Sequence, residues 1–149
     1  MIVSGGGVLY GLAADALHEF AHKHGIPVTE TQAGKGALKW DDVLNVGGIG
    51  VTGGSSANEL AQASDCVLAV GTRLQDFTIG SNSLFSQARL VAINANPFDV
   101  LKRNVLAVQA DAALALRPCR RRWTTGRHRR NGPRTRIVSR TTGAIPPRT

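Results

Sequence analysis

A chain of 149 residues with 42% apolar content is long enough to bury one sizeable core and short for two ordinary domains. Its formal charge of +8 is unevenly placed: residues 1–116 hold all ten acidic groups against seven basic ones, whereas residues 117–149 hold eleven arginines and no lysine, aspartate or glutamate. No apolar run reaches the ~18 residues of a membrane span, no basic start marks a secretory signal, and Cys66 and Cys119 form neither a metal-ligand spacing nor a disulfide framework, so a reducing cytoplasm is the expected compartment.

Met1–Ser4 is a short apolar run ending in Gly5-Gly6-Gly7, which predicts a strand entering a glycine turn. Leu9, Ala13, Ala16, Leu17, Phe20 and Ala21 recur at spacings of three and four, predicting one helix over 9–24. Gly25 stands where a helix ends, with Pro27 just beyond. Ile26–Thr31 predicts a second strand, and a glycine-rich loop follows over 32–54. Ser55 or Ser56 offers an N-cap for a helix through Ala63, with Glu59 three residues after Ser56 completing a capping box. Asp65–Val70, "DCVLAV", is almost wholly apolar and predicts a strand covered on both faces. Arg89–Asn94 and Val105–Gln109 predict two more. Strands alternating with helices imply a parallel sheet wrapped by helices. The expected fold is therefore α/β, a Rossmann-like parallel sheet of about five strands with flanking helices over 1–116. Its last helix is expected to start at Asp111 and to be cut short near Leu116, before a disordered basic tail over 117–149.

The motifs carry less chemistry than their composition suggests. "SGGGVLYG" places Gly5, Gly7 and Gly11 one residue wider than the dinucleotide fingerprint. An anion at a helix N-terminus remains one reading of it; a tight turn that lets the helix pack close to the sheet is the plainer one. Glu30 reads either as a ribose-binding acid or as a solvated strand end. "TQAGKGAL" fails as a phosphate loop, because position 29 is Thr where Gly is needed and position 36 is Gly where Ser or Thr must follow the lysine. His18 and His22 lie four apart on one helical face, with His24 close by, but no acid or cysteine is evidently arranged to complete a metal set. Asp41, Asp42 and Asp76 have no nucleophile beside them. Neither a catalytic residue nor a metal ligand is expected from the residues alone.

The ordered blocks "IVSGGGVLY", "HGIPVTETQAGKGALKWDD", "GGIGVTGGSSANELAQASDCVLAVGTRLQDFTIGS" and "LVAINANPFD" resemble the central domain of thiamine-diphosphate-dependent enzymes, the acetolactate synthase and pyruvate oxidase group. Within it, "ETQAGKGAL" and "VGTRLQDFTIGS" are most similar to the trihydroxycyclohexane-1,2-dione hydrolases, which open a ring dione in myo-inositol catabolism. The resemblance covers about residues 1–115. It implies a three-domain parent in which the first domain supplies an activating glutamate and the third a Gly-Asp-Gly…Asn motif for magnesium and the cofactor diphosphate. No Gly-Asp-Gly occurs in this sequence. Thiamine diphosphate and Mg2+ are thus expected in the intact family enzyme, held by other domains, and the chain reads as a truncated central domain. FAD or ADP is an open expectation for this domain, as some members bind one there. The cofactor-binding positions implied are Gly5, Gly6, Gly7, Gly34, Lys35, Gly36, Gly71, Thr72 and Arg73. For Arg73 the alternative is a local hydrogen-bonding role with Asp76.

The tail "RPCRRRWTTGRHRRNGPRTRIVSRTTGAIPPRT" has two readings. Arginines that neutralise phosphates, with Trp123 stacking on a base, would make a nucleic-acid arm. Arginine without lysine is also what a GC-rich gene yields in a shifted frame, and the mid-helix break in composition favours that origin. The expected partners are the other domains or subunits of the parent enzyme, in a homo-oligomer; nucleic acid and membrane are not expected. A stand-alone nucleotide module is the alternative.

Overall fold

Among the described residues, six parallel strands form one sheet: β1 (Ile2–Ser4), β2 (Val28–Glu30), β3 (Asn45–Gly48), β4 (Cys66–Val70), β5 (Arg89–Asn94) and β6 (Leu106–Gln109). Their order is β3-β2-β1-β4-β5-β6, so the chain winds outward from β1 in one direction and, after β3, outward from β4 in the other. The computed structural model describes residues 1–81, 83–101 and 105–122, with the side chains of 118–122 excepted. The tail beyond Arg122, including Trp123, lies outside the described residues.

Successive strand residues point to opposite faces, and this sorts the apolar side chains into two cores. Ile2, Val28, Val70 and Ile93 join one face with Leu17 and Phe20 of α2 (Ala14–His24) and Leu116 of α6 (Ala112–Arg122). Val3, Ala69 and Ala92 join the other with Ala61 of α3 (Ser55–Ala63), Ile79 of α4 (Asp76–Ile79) and Val100 of α5 (Pro97–Leu101). The near-continuous apolarity of β4 follows from being covered on both sides.

Four expectations are corrected. The helix over 9–24 is two helices, α1 (Gly6–Tyr10) and α2. Leu12 takes a left-handed φ of 48° between them, which lets α1 close the end of β1 and α2 run back along the sheet. The sheet has six strands, because "NVGG" pairs beside β2 although glycine-rich segments have low strand preference. The capping box does not form: Gly54 is the N-cap of α3, with no side-chain cap. The last helix does not stop near Leu116 but continues to Arg122; arginine is a good helix former, so the change in composition does not end it. Gly25 does end α2 as expected, in the left-handed region at φ 61°.

Candidate functional site

Open α/β sheets bind ligands beyond the carboxyl ends of the strands, where the winding direction reverses. Here that switch lies between β1 and β4. Above it a cleft of about 680 Å3 is formed by the turns that follow β1, β2 and β4, together with Ile49, Phe77 and Thr78.

The glycines build its floor by allowing the turns to touch. A Cβ on Gly5 would collide with the Gly71 carbonyl oxygen, and one on Gly7 would come within 2.7 Å of the Gly71 Cα. A Cβ on Gly34 would collide with the Ser4 carbonyl oxygen. The Gly5 and Gly7 amides are already spent on the carbonyls of Val70 and Gly71, at 2.8 and 2.9 Å. These two amides are therefore committed to the tight turn rather than offered to an anion.

Of the sequence-derived positions, Gly6, Gly7, Gly71, Thr72 and Arg73 line the cleft. Gly5 and Gly34 sit beneath it as buried packing points. Lys35 and Gly36 are exposed and do not line it. Thr72 and Asn94 brace the turn after β4: the Leu74 amide donates to Thr72 Oγ1 at 3.2 Å, and Asn94 Nδ2 donates to the Thr72 carbonyl at 3.2 Å. The turn is thus fixed without Arg73, which is exposed in the cleft and forms no ion pair with a described residue. Asp99 is the carboxylate in the lining, and its Oδ2 accepts from Asn96 Nδ2 at 3.2 Å.

Glu30 follows neither of its two sequence readings. The residue is 6% exposed, and its carboxylate turns into the "TQAGKGAL" loop, where Oε1 accepts from the Gly36 and Leu38 amides at 3.2 and 3.0 Å. Thr31 adds a turn-closing bond, its Oγ1 accepting from the Gly34 amide at 3.2 Å. The loop is therefore held by the end of β2, with Lys35 projecting outward.

A second cluster lies away from the cleft. His18 and His22 of α2 meet Asp42, whose side chain is 6% exposed. His22 Nε2 lies 2.9 Å from both Asp42 carboxylate oxygens, and His18 Nε2 lies 3.3 Å from Oδ2. Burial alone would raise the Asp42 pKa, but the Leu44 amide, then His22 and His18, outweigh it and hold the carboxyl below its ordinary value. The histidine pair is legible in the sequence and this acid is not, since Asp42 is twenty residues from His22 and only the fold of the loop joins them.

Residues 1–118 match the family described as thiamine pyrophosphate enzyme, central domain. Over 116 residues the chain is 48% identical to 3D-(3,5/4)-trihydroxycyclohexane-1,2-dione hydrolase of Geobacillus thermodenitrificans strain NG80-2, covering 78% of this chain and 18% of that protein. It is 46% identical over 118 residues to the protein of the same name from Clostridium tetani, again covering 78% and 18%. Among solved structures it is similar to an enzyme from Mycobacterium smegmatis described as thiamin diphosphate-dependent, with a TM-score of 0.70 and 26% identity over 89% of this chain and 26% of the other. The chain spans about 18% of the length of these curated relatives.

Proposed function

The chain belongs to the thiamine pyrophosphate enzyme central-domain family, and from that premise we propose that it serves as the middle domain of a ring-dione hydrolase, an enzyme that cleaves a C–C bond of a cyclic dione with water. The observation that carries this reading is the 48% identity over 116 residues to a protein of that name. The partners are the other domains of such an enzyme, in a cytoplasmic homo-oligomer.

Thiamine diphosphate and magnesium do not fit the described residues of this chain. Among the described lining residues Asp99 is the one carboxylate, and Glu30 is turned into its own loop, so no set of acidic ligands is gathered at the cleft. No Gly-Asp-Gly is present in the sequence. The domain's own contribution is positional: the braced turn after β4 presents Arg73, and the loop anchored on Glu30 presents Lys35, at the carboxyl edge of the sheet. A cation so placed favours an anionic group of substrate or cofactor and excludes no water by itself. A second reading, an ADP- or FAD-binding role, is favoured by the switch-point cleft; the diphosphate would be met there by Arg73, since the Gly5 and Gly7 amides are committed.

Grafting residues 1–118 in place of the matching segment of the Geobacillus enzyme tests the first reading. A folded chimera that hydrolyses the dione with thiamine diphosphate and Mg2+ supports it, and a folded, inactive chimera overturns it. ADP that raises the melting temperature of the chain, with the shift lost in Arg73→Ala, would favour the second.

A further inference from the structure

The His18–His22–Asp42 cluster shares no residue with the cleft lining. Residues four apart on a helix stand one above the other, and the two imidazole rings lie 4.3 Å apart between centroids. Both present Nε2 to one carboxylate, and the three ligand atoms fall within 4.8 Å of one another. Three N and O donors at ~2.0–2.2 Å from a tetrahedral ion stand roughly 3.4 Å from each other. The His18–Asp42 separation of 3.3 Å already matches that spacing, and the His22–Asp42 pair at 2.9 Å needs to open by a few tenths of an ångström.

The surroundings also suit an ion. The Leu44 amide donates to Asp42 Oδ1 at 2.9 Å and fixes the carboxylate, the outer-shell support that metal ligands ordinarily have. The histidine side chains are 53% and 39% exposed while that of Asp42 is 6% exposed, so the donors are held from below and open to solvent above. Two imidazoles and one carboxylate are the donor set of borderline divalent ions. We propose that His18, His22 and Asp42 form a binding site for a divalent transition-metal ion of the zinc class, with water completing its coordination. Binding there clamps the loop around Asp42 onto α2.

The test is titration of the full chain with zinc chloride at neutral pH by calorimetry, repeated with cobalt(II) and its visible absorbance. One equivalent is expected to bind. His18→Ala, His22→Ala and Asp42→Asn should each weaken binding by at least ~10-fold, since loss of even an outer-shell partner costs ~10–100-fold. Cys66→Ser, Cys119→Ser and His128→Gln should leave it unchanged. Binding that survives the first three substitutions, or that vanishes with the second three, overturns the site, as does no saturable binding. Should a substituted chain fail to fold, substoichiometric cobalt(II) added to the unaltered chain decides by imidazole NMR. Broadening of both His18 and His22 supports the site, and any other pattern overturns it.

Discussion

At the end of β2, the Glu30 carboxylate satisfies two backbone amides of the loop that follows it. Removing a buried acceptor leaves its donors unpaired, at about 1–3 kcal/mol. Glu30→Ala is therefore expected to lower stability by about that amount, and Glu30→Gln, which keeps a carbonyl oxygen, by less; urea unfolding measures both. Gly34→Ala places a methyl against the Ser4 carbonyl and the Gly5 backbone, neither of which can rotate away. A cost of about 1–3 kcal/mol is expected from such overpacking, read from the same unfolding curves. Asp42 gives a pH signature. Its folded pKa is lowered, so its stabilisation is fully present above the unfolded value of about 3.9 and is lost as pH falls through the lower, folded value. Asp42→Asn should be less stable by about 1 kcal/mol at neutral pH, given the exposure of its histidine partners. That gap should close as thermal melts are taken below about pH 4.

Among the elements, α6 shows how far a segment's role can depart from its composition. Its sequence turns basic at Arg117, yet Ala112, Ala113 and Leu116 face the core and pack against α2. Leu116 is 1% exposed, and Leu116→Ala should cost about 2–5 kcal/mol as a cavity opens beside Leu17 and Phe20. Thermal melting of the full chain checks it, and a loss below 1 kcal/mol would show that α6 is not seated. The two outer strands are held differently. β3 is glycine-rich and bonded to β2 alone, whereas β6 is apolar at Leu106 and Val108 but exposed along its length.

For the whole molecule, the exposed apolar groups are numerous. Tyr10, Leu12, Trp40, Phe77, Phe98 and Leu106 are each at least two-thirds exposed. Exposed apolar surface on this scale marks interfaces, and an uncovered strand edge adds to it. The chain by itself is expected to self-associate, with a sedimentation coefficient that rises with concentration; a single monomer species throughout would refute this. It is also expected to give no turnover of a ring dione with thiamine diphosphate and magnesium, because its described cleft residues offer a single carboxylate, Asp99, to hold such groups. Activity in that assay without another polypeptide would overturn the scaffold reading.

The periodicities in this sequence determined the fold class. Short apolar runs and the three-to-four helical spacing report which residues leave water, and that is enough to specify a parallel sheet between helices and to place β1, β2, β4, β5 and β6 without a partner in view. The Gly25 stop was legible from a left-handed backbone geometry that few residues adopt, and the tight turn at Gly5–Gly7 from glycines that leave room for a close approach, here of the Gly71 turn. Three features were decided only in three dimensions. "NVGG" became a strand because β2 offered it a hydrogen-bonding edge. Glu30 became a loop anchor because the chain folded back over it. Asp42 met His18 and His22 because a loop with no periodicity returned it to α2. Local patterns encode which atoms avoid water, whereas polar partners distant in sequence are chosen by the packing that brings them within bonding reach.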